Sequence, residues 1–330
     1  MTFIVITSLF ISVVYYSKRF LTCKGFFVKN IKLHNINIIK GKTQFLFQPD
    51  GLDFYCTALE SAADTGLNLK GEPAMTNREI LQTAMAQSAI DLNCEAADFL
   101  ASENKVVLSR KREGARKYLE LPFSCNLVSY GSNIVASVQP EYARLAEDYI
   151  NRFPAEHCFE TPNLHVLNDG LRERGQLVCF MAEYWLPDVD KARAQDCPYE
   201  LRLLTQADFP ALYRPEWGNA LCEKRKELDV LGVGAYDRGK LVGFAGCSAD
   251  CGTMWQIGVD VLPEYRRQGT ASAVTARLTR EILDRGKVPF YCCAWSNVKS
   301  ARNAVRCGYH PAWVELTAKP VEYVDKMNGR

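Results

Sequence analysis

No Asp or Glu occurs in the first 49 residues and no Ala before Ala58, although seven basic residues (Lys18, Arg19, Lys24, Lys29, Lys32, Lys40, Lys42) fall in that stretch. The rest of the chain differs: there 33 basic residues face 38 acidic ones, a net charge of −5. A mildly acidic working region excludes sequence-independent nucleic-acid binding, which needs a basic face. Also missing is the run of roughly 20 apolar residues that a membrane-spanning helix requires. The apolar stretch Thr2–Ser17 is sixteen residues long and ends at Lys18-Arg19. It has neither a basic segment ahead of it nor a small-residue cleavage site, so it does not read as a secretory signal. Residues 1–49 are read as an atypical apolar and basic leader outside the working fold; a membrane-associated segment and an extra strand or helix are the alternatives.

Among the thirteen cysteines there is no CxxC pair, and their number is odd. That excludes a secreted disulfide scaffold, and Cys247 with Cys251 alone lacks the ligand spacing of a zinc site. The cysteines read as reduced core residues of a cytoplasmic protein. Histidine is scarce too, four in all, of which His157 and His165 share the stretch "HCFETPNLHVL". Pro162 between them is expected to break any helix, so the stretch reads as a surface or recognition loop, and no metal site is expected.

What is present is a globular pattern that starts once and then restarts. Thr76-x-x-Glu79 has the spacing of a capping box ahead of a helical pattern from Asn77 to Leu100. Short strand-like runs follow at 105–110, 126–131 and 133–138, then a helix after Pro140 and a buried strand, "QLVCFMAEYWLP", at 176–187. Residues 50–187 are thus expected to form a smaller mixed α/β domain, and the polar, proline-bounded 188–198 a linker. From 199 to 330 the expected order is a strand, helical segments within 206–228, a hairpin turning at Asp237-Arg238-Gly239, a strand at 253–262, a helix to Arg285, a strand at 289–295, a helix at 297–307 and a last strand at 309–316. The fold class is α/β (α+β): a mixed sheet flanked by helices.

The stretch "VDVLPEYRRQGTASAVTARL", residues 259–278, carries the chemistry. A strand stops at Pro263, a tight turn holds Arg266, Arg267 and Gly269, and Val274, Leu278 and Ile282 make the stripe that would seat a helix. Free backbone N–H groups at the mouth of that helix, its dipole and two arginines together suit a phosphate.

The order of elements, with this turn after the fourth strand, resembles the GCN5-related N-acetyltransferase family over about residues 199–320. "SNVKSARNAVRCGY", whose Asn297 lies 31 residues past Arg266, is similar to a second family landmark. In texture the chain from about residue 75 also resembles bacterial two-domain acetyltransferases of this kind. The resemblance implies acetyl-CoA as co-substrate, with Val259, Asp260 and Val261 meeting the pantetheine arm. It places the pyrophosphate on Arg266, Arg267, Gln268, Gly269, Thr270, Ala271 and Ser272, and gives Asn297 and Ser300 to the cofactor arm.

An amine acceptor near pKa 10 is about one part in a thousand neutral at pH 7, so attack needs a base or a water chain. The oxyanion is expected to take a backbone N–H, that of Val261. Where family members carry a tyrosine acid this chain has Ala304, and where they carry a glutamate base it has Trp255, Gln256 or Cys292. Tyr309, Glu223, Asp260 and His310 stand as substitutes beside a mechanism without a dedicated base. Glu216, Trp217, Asn219 and Glu223 fall where the family builds its acceptor side, while Trp255 and Trp295 read as core aromatics. The expected activity is N-acetylation of a small-molecule or peptide amine. The alternative is a catalytically silent acyl-CoA-binding or sensing module. No nucleic-acid partner is expected, nor a membrane unless the leader is genuine, and the oligomeric state is open.

Overall fold

The computed structural model describes residues 75–330, and before them only five strands. It divides into two compact units, Met1–Gly71 and Glu72–Arg330. In the first, β1 (Phe20–Cys23) pairs antiparallel with β2 (Phe26–Lys29). Three further strands, β3 (Leu33–Ile39), β4 (Lys42–Phe47) and β5 (Phe54–Ala58), form an antiparallel sheet. The run Thr2–Ser17 lies outside the described residues.

The second unit begins with α1 (Asn77–Leu92), whose start is the expected capping box: Thr76 accepts from the Glu79 N–H, and the Glu79 side chain accepts from the Thr76 N–H. Asn93, left-handed at φ 61°, stops it. Next come β6 (Lys105–Leu108), β7 (Cys125–Ser129), β8 (Val135–Val138), α2 (Ala143–Ile150), α3 (Thr161–Arg172) and β9 (Gln176–Pro187). Helix α3 occupies part of the stretch read as a loop. Pro162 stands in its first turn, where a missing N–H costs nothing, so it starts the helix where a break was expected. His157 sits on the preceding short 3-10 turn and pairs with Glu160 at 2.9 Å.

After 188–198 the elements are β10 (Glu200–Thr205), β11 (Asp229–Asp237), β12 (Lys240–Ser248), β13 (Met254–Val261), α4 (Thr270–Leu283), β14 (Val288–Cys293), α5 (Val298–Arg306), β15 (Tyr309–Pro320) and α6 (Val321–Met327). The expected helical segments within 206–228 are only 3-10 turns, because Pro210, Pro215 and Gly218 interrupt any longer helix.

One ten-stranded sheet runs through both regions in the order β10-β11-β12-β13-β14-β9-β15-β7-β8-β6. Strand β9 lies between β14 and β15 and pairs with β15 along its whole length, Gln176 opposite Pro320 and Pro187 opposite Tyr309. The sheet therefore does not stop at 188–198. Val274, Leu278 and Ile282 of α4 are fully buried on one face, beside Trp185, Ile257 and Tyr291. Helix α1 covers the other face over Met254, Val288, Phe290 and Trp313.

Candidate functional site

The sheet opens at one place. Strands β13 and β14 pair in parallel from Met254↔Val288 to Ile257↔Tyr291 and no further. β13 continues to Val261, while β14 is taken up by β9 from Tyr291 to Cys293. Gly258–Val261 thus have a strand on one side only. The Leu262 N–H donates to the Val242 carbonyl at 3.0 Å, toward β12. Backbone groups alternate sides along a strand, so the N–H groups of Val259 and Val261 face the gap. The Val261 carbonyl, on the same side, accepts from Arg266 Nε at 2.9 Å.

At the C-terminal end of β13 the basic turn leads into α4. Arg267 (φ 62°) and Gly269 (φ 81°) are both left-handed, which folds the chain back onto the helix start. The first intrahelical bond runs from the Ala273 N–H to the Gly269 carbonyl at 2.9 Å. The N–H groups of Thr270, Ala271 and Ser272 are the orphan donors of that helix end. The side chains of Thr270 and Ser272 turn inward, to the Tyr265 carbonyl at 3.2 Å and to Asn303 at 3.1 Å. Arg266, Arg267 and Gln268 line the turn toward solvent, and Gln268 accepts from the Tyr199 hydroxyl. A donor-rich turn with guanidinium groups beside it fits the phosphate oxygens of a nucleotide cofactor. Asn297 caps α5, its side chain accepting from the Ser300 N–H at 3.2 Å. The Ser300 hydroxyl bonds that of Tyr291, 2.6 Å away, at the last paired position before the gap.

Opposite the α4 face, the segment 217–222 lies across β12 and β13. It can do so because Gly246 and Gly258 stand opposite each other. A Cβ on Gly258 would lie 1.8 Å from the Asn219 carbonyl oxygen, and one on Gly246 2.2 Å from that of Ala220. Asp260 fastens the same segment, accepting from the Asn219 N–H at 2.9 Å, Asn219 Nδ2 at 2.6 Å and the Ala220 N–H at 3.0 Å. Gly258→Ala should therefore lift 217–222 and destabilise the protein by about 1–3 kcal/mol, the cost of overpacking. Urea unfolding, with hydrogen exchange of 217–222, checks it.

The acid and base candidates do not converge on the gap. The Asp260 carboxylate is spent on the loop. Tyr309 is buried, 3% exposed, with its hydroxyl 2.7 Å from that of Thr279 under α4, and burial pushes its pKa well up. It is a core residue on the α4 face. Glu223 lies on a 3-10 turn with no buried residue, and His310 is exposed on β15. Trp217 is buried against Phe244, a core residue and no ligand contact, while Trp295, expected in the core, is 54% exposed. Cys292 accepts from Gln256 Nε2 at 3.0 Å, and burial pushes its thiol up to about 11, so it stays protonated at neutral pH.

Sequence reading missed a second group of residues on the α1 face of the sheet. Arg116 forms a buried ion pair with Asp91 at 3.0 Å and lies over the rings of Phe290 and Trp313, 5.1 and 5.7 Å from their centroids. Beside it are Glu315, which accepts from Asn126 Nδ2 at 3.2 Å, and the half-buried Tyr118 and Tyr184. Burial raises the pKa of Glu315 above its ordinary range. None of these residues belongs to a short motif. The only sequence signal is a carboxylate in an otherwise apolar strand, "YHPAWVEL".

No helix among the described residues is long and apolar enough to cross a membrane. A comparison with curated proteins finds no match. Among solved structures, the chain is similar to a GNAT-family protein from Novosphingobium aromaticivorans, at 20% identity over 44% of this chain and 66% of that one, with a TM-score of 0.34. It is similar also to a GCN5-related N-acetyltransferase-like protein from Streptococcus suis, at 18% identity over 59% of this chain and 84% of that one, TM-score 0.37. A GCN5-related N-acetyltransferase from Kribbella flavida matches at 18% identity over 48% and 64%, TM-score 0.37. The family model described as GNAT acetyltransferase matches residues 187–313, which hold the gap, the basic turn and the α5 cap. Residues 187–313 of the chain are thus identified with the GNAT acetyltransferase family.

Proposed function

We propose that the protein transfers the acetyl group of acetyl-CoA to a primary amine of a small molecule or peptide. The observation that carries this reading is the gap at Gly258–Val261, with the N–H groups of Val259 and Val261 facing it and the free N–H groups of α4 one turn away. The pyrophosphate would lie on the N–H groups of Thr270–Ser272, with Arg267 beside it, and the pantetheine amides along Val259 and Val261. The amine nitrogen first forms the new C–N bond, opening the C=O to an oxyanion, and the C–S bond breaks as the carbonyl reforms. The Val261 N–H stabilises the oxyanion between the two steps. The ammonium proton leaves through water, since Asp260 and Tyr309 are committed elsewhere. The second proton of the attacking nitrogen passes through water to the departing thiolate.

That same commitment of acid and base favours a second reading, an acyl-CoA-binding module without turnover. Acetyl-CoA binding by calorimetry, followed by amine-stimulated release of free thiol across a panel of amines, separates the two. Binding with amine-dependent thiol release is expected; binding without it across the panel assigns the module. No binding at all removes both.

A further inference from the structure

On the α4 face of the sheet, β9 passes from one apolar cluster to another. Trp185 packs with Val274, Leu278 and Ile282 of α4, and Met181 packs against the cluster under α2 and α3. Side chains two residues apart on a strand share a face, so Glu183 stands between the two clusters. Ser129 of β7, Val314 of β15 and Glu183 of β9 are directly opposite one another on neighbouring strands and make one row. The short turn Ala155–Phe159 and Trp295, on the loop after β14, wall a cavity of about 300 Å³ that this row lines. No residue of α2, α3, α4 or α5 reaches into its lining.

That lining selects a ligand. It holds two carboxylates, Glu156 and Glu183, and no Lys, Arg or His, and most of the rest is apolar or aromatic. Such a surface repels phosphates and attracts a cation. Glu183 is half-buried, and its burial raises its pKa. Among the described residues no hydrogen-bond donor and no cation meets its carboxylate. A carboxylate partly withdrawn from water without a partner gains a charge-assisted bond when an ammonium arrives. Trp295 is 54% exposed, and no other ring or cation among the described residues lies on it. A free indole face is a resting place for an ammonium or for the ring of a ligand. Trp313 is already stacked on Tyr184 and Tyr130 and serves only as apolar wall. The volume lies at the small end of ligand pockets, which run from roughly 300 to 1,000 Å³, so it suits one ring with a short chain.

We propose that this cavity binds a small primary amine with an aromatic or apolar body, its ammonium on Glu183 and its body between Trp295 and the wall at Pro311–Val314. Glu183 is opposite Cys293 on one edge of β14, and the gap beside β13 is on the other edge. The binding is therefore separate from the place given to the cofactor and does not rest on the acetyl-transfer reading.

The test is calorimetric titration of the full chain with phenethylamine and with phenethyl alcohol, which has nearly the same shape and no charge. Wild type should bind the amine about tenfold or more tightly than the alcohol, the margin that one hydrogen bond to a charged partner supplies. Glu183→Gln keeps the size of the side chain and should erase that margin without changing the melting temperature. Trp295→Ala, at an exposed position, should weaken amine binding about fivefold and keeps the site testable if Glu183→Gln folds poorly. No margin in wild type, a margin that survives in Glu183→Gln, or unchanged amine affinity in Trp295→Ala would overturn the assignment.

Discussion

Gly269→Glu should lower acetyl-CoA affinity by about a thousandfold without unfolding the protein. Gly269 sits at φ 81°, between the basic turn and the first free N–H groups of α4. A side chain there is strained, at about 1–2 kcal/mol in the left-handed region, and its Cβ would lie 2.8 Å from the Asp196 carbonyl oxygen. The larger effect is electrostatic. A carboxylate about 4 Å from a phosphate in a partly screened site costs about 4 kcal/mol per unit charge, which is about a thousandfold in affinity. Gly269→Gln fills the same space without the charge and should retain most of the affinity, losing about tenfold. Titration calorimetry on both variants, with thermal melting to check the fold, reads the result. Equal affinities in wild type and Gly269→Glu would take the pyrophosphate away from this turn.

The second large effect is on stability. Asp91→Ala should destabilise the unit by about 3–5 kcal/mol, because it leaves the Arg116 guanidinium charged and unpaired in the core. Asp91 holds Arg116 through the ion pair at 3.0 Å and accepts from the Arg116 N–H at 2.8 Å and from Gln87 at 3.1 Å. Both side chains are almost wholly buried, 2% and 1% exposed for Arg116 and Asp91, so no water replaces the lost partner. The double replacement Asp91→Leu with Arg116→Met should recover most of the loss, since it removes both charges and keeps the volume. Urea unfolding of the two variants measures this. A loss below about 1 kcal/mol in Asp91→Ala would show that the pair contributes little to the fold.

Patterns that link residues close together in the chain are legible in the sequence itself. The Thr76 capping box, the Val274–Leu278–Ile282 stripe and the strand, turn and helix around Gly269 all appear where the pattern puts them, because each depends on backbone geometry within a few residues. Pro162 misled because a proline has opposite meanings in the first turn of a helix and in its interior, and periodicity alone does not say which applies. Tyr309 misled for another reason. It stood as a substitute for the missing acid or base, but a strand alternates faces, and Tyr309 falls on the side covered by α4.

By itself, then, the sequence determined the basic turn, the helix it opens and the helix that begins at Asn297. Only the tertiary structure decided where the sheet parts. β14 pairs with β13 only as far as Tyr291 and gives its other edge to β9, drawn from the other region of the chain, so that past Ile257 β13 keeps β12 alone beside it. It also decided that Asp260 anchors a loop and that Glu315 is buried with Asn126 as its donor, because a carboxylate's role is set by the donors and the dielectric that folding brings to it from distant parts of the chain.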